Sequence, residues 1–104
     1  MDQAAVIAAI RRFRRALEAN HITVERMVLF GSHAEGAARE QSDIDVAVIS
    51  GDFSAQGFWE RIRLLSDAIY EVGLPIEAVA LSPEEWERAD RPIVVFARKG
   101  MEIN

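Results

Sequence analysis

Asp43 and Asp45, which flank Ile44 in the run Ser-Asp-Ile-Asp-Val-Ala-Val, are the residues best suited to do chemistry. On an extended strand, side chains two apart point to the same face, with Cα atoms roughly 7 Å apart. Carboxylates so placed can share divalent cations about 3.5–4 Å apart, an arrangement that supports in-line attack at phosphorus. Gly31-Ser32 lies upstream, with ten residues between Ser32 and Asp43, at the end of the apolar run Met27–Phe30. Glycine allows close backbone approach and serine adds a hydroxyl, and both suit a bound phosphate. Either pair alone has an ordinary reading, as a solvated strand edge or a tight turn. Together they outline a phosphate-and-metal site.

The elements that must position this site follow from periodicity. Val6, Ile10, Phe13 and Leu17 recur at helical spacing and predict a helix over 3–19. Asn20 and His21 close it, and the apolar, β-branched stretch 22–30 predicts a strand. A short helix or turn follows over 32–39. From 43 to 49 the chain alternates, with Ile44, Val46 and Val48 on one side and Asp43, Asp45 and Ala47 on the other. A one-residue slip would exchange the two sets, so the alternation constrains the register. A turn at 50–52 leads to a helix over 54–72, with Phe58, Ile62, Leu65, Ile69 and Val72 as its core stripe, ended by Gly73. Residues 74–81 predict a third strand bearing Glu77. Ser82-Pro83-Glu84-Glu85 reads as a capped helix start, with a helix over 83–90. A last helix over 92–98 and a terminal strand at 101–103 complete the order. The arrangement is α+β, a small mixed β-sheet with helices packed against it, and it brings Asp43, Asp45 and Glu77 toward one end or face of the sheet.

Bulk properties narrow the function. The chain has 104 residues, half of them hydrophobic, enough for one domain spanning 1–104 with a real core. Seventeen acidic against twelve basic residues give a net charge of −5, which argues against direct nucleic-acid binding. With no cysteine and only two histidines, thiolate sites are excluded and a conventional zinc site is disfavoured. No signal peptide or membrane-length apolar run is evident, so the expected location is cytoplasmic. Arg11, Arg12, Arg14 and Arg15 read as a solvated helix face, Trp59 and Trp86 as packing at the core edge, and His33 as solvent-exposed.

The run Phe30-Gly31-Ser32-His33-Ala34-Glu35-Gly36, followed by Ser42-Asp43-Ile44-Asp45, resembles the signature of the polymerase-β-like nucleotidyltransferase superfamily, and most closely its minimal nucleotidyltransferases. The resemblance implies that Asp43 and Asp45 bind one or two Mg²⁺ ions, that Glu77 is the third carboxylate, completing the metal site or accepting a proton, and that Gly31 and Ser32 hold the phosphates of ATP. It implies transfer of AMP to a hydroxyl, with a tyrosine of a helical HEPN toxin partner as acceptor and this chain as antitoxin. It also implies that a partner chain or a second copy completes the pocket, in place of the helical domain of larger members. Two positions depart from the pattern: Glu35 stands where arginine is common, and Glu77 where aspartate is usual. An acid at position 35, if it faced the triphosphate, would weaken nucleotide binding. The alternative is therefore a catalytically weakened module that neutralises its partner by contact; a small-molecule nucleotidyltransferase is a more distant third.

Overall fold

A computed structural model describes residues 1–39 and 41–104. Helix α1 spans Gln3–Ala19, with Asp2 as N-cap accepting a bond from the Ala5 N–H at 2.8 Å. Its buried residues include the expected stripe Val6, Ile10, Phe13 and Leu17. Strand β1 is Arg26–Phe30, α2 is the single turn Ser32–Glu35, and β2 is Ile44–Ile49. A 3-10 turn at Gly51–Ala55 precedes α3, Phe58–Val72, and β3 is Ile76–Leu81. Helices α4 (Pro83–Arg88) and α5 (Pro92–Ala97) lead to the short strand β4, Met101–Ile103. Among the described residues no helix is long and apolar enough to cross a membrane.

The four strands form one mixed sheet in the order β3-β2-β1-β4. β1 runs antiparallel to both β2 and β4, and β2 runs parallel to β3 with α3 as the crossover. Alternation in β2 divides the core as expected. Ile44, Val46 and Val48 join α1 and α3 in one apolar layer; Ala47 and Ile49 join Trp86, Val94 and Ala97 of α4 and α5 in the other. Asp45 belongs to this second face, at the strand end farthest from Ile49.

Several boundaries differ from the sequence expectation, each for an identifiable reason. The strand expected from residue 22 begins only at Arg26, because its partner β2 ends at Ile49, opposite Arg26. Thr23 instead donates its N–H to Asp52, and Glu25 donates to the carbonyl of Ile49. Residues 54 and 55, expected to start α3, belong instead to the 3-10 turn Gly51–Ala55, which places Phe53 fully in the core. β3 starts after Pro75, which has no N–H to donate.

The stripe on α3 is the largest correction. Leu65 and Val72 are buried, but Phe58 is 67% exposed and Ile62 38%. β3 is the edge of the sheet, so the first turns of α3 lie over that edge rather than over a neighbouring strand. Trp59, expected at the core edge, is 77% exposed; Trp86 is buried as expected.

The arginines of α1 are not simply a solvated face. Arg12 Nη2 donates to the Val72 carbonyl at the C-terminus of α3, where a cation complements the helix dipole. Arg14 Nη2 donates to the Val24 carbonyl and Arg11 Nε to that of Asn104. They tie α1 to three other parts of the chain.

Candidate active site

The site forms where β1 ends and β2 and β3 begin. Gly31 follows β1 with φ 75° and ψ −154°, a backbone conformation essentially restricted to glycine. A Cβ at this position would overlap the Asp45 carboxylate. Two independent requirements, conformation and space, therefore select glycine here. The chain then makes the single turn α2, from Ser32, and Gly36 ends it in the left-handed conformation with φ 72°.

The loop back to β2 is pinned locally. The Arg39 N–H donates to Ser42 Oγ at 2.9 Å, and the Ser42 N–H donates to the Arg39 carbonyl at 3.0 Å. His33, expected to be exposed, is half-buried, with Nε2 3.1 Å from the Ser42 carbonyl oxygen. A neutral or charged ring carrying the proton on Nε2 makes this a donated bond. It joins α2 to the residue just before Asp43. Sequence reasoning missed this tether, whose signal was a histidine inside the glycine-serine motif.

β-sheet register then assembles the acids. Asp45 pairs across to Phe30 on β1 and to Glu77 on β3. In-register neighbours on adjacent strands point to the same face about 4.8 Å apart, so the two carboxylates stand side by side. Asp43 lies two residues before Asp45. Burial, then the negative charges of Glu77 and Asp43, raises the Asp45 carboxyl above its ordinary value, with His33 acting in the opposite direction. Among the described residues none of the three acids takes part in an ion pair with Lys or Arg. Uncompensated carboxylates around a half-buried aspartate suit a cation. Asp43, Asp45 and Glu77 are the residues that would hold one. They do not form a closed cage as they stand: among the described residues, no three His, Asp or Glu side chains are grouped tightly enough to enclose a metal.

Glu35 lies elsewhere. It is exposed and lines a cleft of about 450 Å³ with Met1, Gln3, His33, Ala34 and Ala38, on the side of the α1 N-terminus. The charges that shift the Asp45 carboxyl are those of Glu77, Asp43 and His33.

A second polar centre, away from the acids, also escaped sequence reasoning. Arg61 Nη1 donates to Glu85 Oε1 at 2.7 Å and to the Ala80 carbonyl at 3.3 Å, and Nε donates to the Gln56 carbonyl at 3.2 Å. Glu85 is at the same time the reciprocal partner of Ser82 in the capping box of α4, as the sequence Ser-Pro-Glu-Glu predicted. No local pattern marks Arg61, because its partners come from three separate segments.

Comparison with known proteins agrees with this architecture. Residues 10–99 match the family described as nucleotidyltransferase domain. A candidate protein adenylyltransferase of Methanocaldococcus jannaschii is 34% identical over 81 residues, which is 77% of each chain. The fold is similar to the crystal structure of a candidate nucleotidyltransferase from Sulfolobus solfataricus. That likeness has a TM-score of 0.69 at 20% identity and covers 83% of this chain and 75% of that one. The chain belongs to the nucleotidyltransferase domain family.

Proposed function

We propose that this nucleotidyltransferase carries out Mg²⁺-dependent transfer of AMP from ATP to a protein hydroxyl. The observation that carries the reading is the juxtaposition of Asp45 and Glu77 across the parallel β2–β3 pair, directly beside Gly31. The tight approach of Gly31 to Asp45 leaves the turn at Ser32 next to the acids, where a triphosphate would meet both the turn's N–H groups and the carboxylates. Asp43 and Asp45 would hold Mg²⁺, with Glu77 completing its ligands or accepting the proton of the incoming hydroxyl. Bound there, Mg²⁺ supplies charge neutralisation for the phosphates and the leaving pyrophosphate. The chain's own part is chiefly positioning: β2 and β3 hold the acids in register, and the His33–Ser42 tether holds the approach to Asp43.

The acceptor we favour is a tyrosine on a helical HEPN partner, with this chain acting as antitoxin in the cytoplasm. The support is the likeness to minimal nucleotidyltransferases together with the protein-modifying description of the M. jannaschii relative. The contact-only alternative rests on Glu35, which is exposed and lines the cleft beside Met1 and Gln3.

Incubation with a HEPN-type partner, ATP labelled in the α-phosphate and Mg²⁺ tests the proposal. Label should pass to the partner, and Asp45→Asn should abolish transfer. Neutralisation of the partner by the Asp45→Asn chain, with no label moved by the wild type, would overturn it in favour of contact alone.

A further inference from the structure

The open edge of the sheet has features the reaction leaves unused. Among the described residues β3 pairs only with β2. Pro75 and Leu81 turn their carbonyls toward β2, where Ile44 and Ser50 donate to them. By the alternation of a parallel ladder, Ala78 and Ala80 turn their backbone groups outward. The Ala80 carbonyl is taken by Arg61, while both groups of Ala78 and the N–H of Ala80 face the edge. Beside them lies a cavity of about 370 Å³ between the two helical layers, with Phe58, Ile62 and Leu65 on one side and Glu85 and Arg91 on the other. Phe58 and Trp59, packed edge to face at 5.0 Å, extend the apolar surface outward. Gln56, also in the lining, has Oε1 buried without a hydrogen-bond partner among the described residues, an acceptor open to an entering donor.

The geometry points to this edge as the docking groove for an extended segment of the acceptor polypeptide, added to β3 as a fifth strand, with a bulky apolar side chain in the cavity and an acidic residue at Arg91. It rests on the transfer to a protein hydroxyl proposed above and specifies how the acceptor is held. Unpaired strand edges bind peptides through main-chain hydrogen bonds, and pockets beside them select alternate side chains. Ala78 and Ala80 face the α1–α3 layer and line the cavity together with Phe58, Ile62 and Leu65 of α3. Glu77 faces the opposite side, in register with Asp45. A residue laid opposite Glu77 therefore presents its side chain to the acids, while its neighbour turns into the cavity. Charge selects the occupant: Arg61 and Arg91 share the single carboxylate of Glu85, Arg91 at 3.9 Å with its side chain half exposed. This leaves a positive spot on a chain of net charge −5, complementary to an acidic peptide rather than to a second copy's Arg61 and Arg91.

A random-peptide library displayed on phage, selected against the full chain without nucleotide, tests the groove. Enriched peptides, synthesised and titrated by calorimetry, should combine a bulky apolar residue with an acidic one. Hydrogen exchange at Ala78 and Ala80 should slow at least about tenfold in the complex. Ala78→Pro removes an outward N–H without breaking a bond to β2, so it should weaken binding about tenfold or more while the melting temperature holds. Arg91→Glu should weaken it further for acidic peptides. Failure to enrich such peptides, protection elsewhere, or a dimer that Ala78→Pro dissolves would overturn the groove; the exchange readout needs no variant. Peptide binding without AMP transfer to the partner would sink the enzymatic reading and leave the groove standing. Transfer unchanged in Ala78→Pro would sink the groove alone.

Discussion

Asp45 on β2 and Glu77 on β3 are direct neighbours in a parallel register, and a carboxylate pair in this position repels itself in the absence of a cation. Sheets ordinarily gain stability from cross-strand pairs, and like charges opposite one another lose it. The fold holds the acids together because the apolar residues of β2 and β3 outnumber them: Ile44, Val46, Val48, Ile76 and Leu81 are all buried.

This repulsion has a defined pH signature. Burial first, then Glu77 and Asp43, holds the Asp45 carboxyl above its ordinary 3.8. The folded chain thus binds this proton more tightly than the unfolded one. The associated stability is complete below pH 3.8 and is lost as the pH rises through the folded value. In metal-free buffer Asp45→Asn should melt above the wild type at pH 7, the gap closing below pH 3.8. Saturating Mg²⁺ should reverse the order, since a ligand at a hundred times its Kd adds about 2.7 kcal/mol to whichever chain binds it. Thermal melts across pH, with EDTA and with Mg²⁺, check both halves. A wild type that outlasts the variant in EDTA at pH 7 would contradict the assignment.

Gly31→Ala should be far more damaging than a methyl group suggests. The residue would be strained by about 1–3 kcal/mol at φ 75°, ψ −154°, and its Cβ would displace the Asp45 carboxylate. We expect loss of nucleotide affinity together with a lower melting temperature. Gly36→Ala, which also has a positive φ but open space around it, should cost stability alone. Calorimetric titration with ATP and Mg²⁺ separates the two.

Glu85 answers to pH in the opposite sense. Burial pushes its carboxyl up, but the Ser82 N–H, the Arg61 guanidinium and the Ser82 hydroxyl together hold it below its ordinary 4.5. Its contribution is present above pH 4.5 and is lost as the pH falls through the folded value. Glu85→Gln should cost about 1–3 kcal/mol at pH 7, a fall of roughly 4–8 °C per kcal/mol in a domain of this size, with the deficit shrinking in acid. Melting curves from pH 3 to 7 follow it directly.

Much of the site was legible in the sequence because its signals are local. Two-residue alternation assigned Asp43 and Asp45 to the face opposite Ile44 and Val46, and helical periodicity fixed α1. The serine, proline and second glutamate of 82–85 announced the cap of α4. Gly31-Ser32 marked the turn, though only the Asp45 carboxylate against Gly31 shows why a side chain is forbidden there.

Tertiary structure decided the rest. Periodicity states which face a residue occupies but not which strand lies beside it. Only the parallel register of β2 and β3 set Glu77 against Asp45, and only the place of β3 at the edge left Phe58 and Ile62 outside the core their spacing implied. Likewise, Glu35 turned toward the α1 end, and the arginines of α1 found carbonyls from sequence-distant segments. The chain itself determined a strand–turn–strand holding two acids beside a glycine. Packing between segments far apart in sequence determined the register that sets Glu77 against Asp45, the open edge and the charges that surround them.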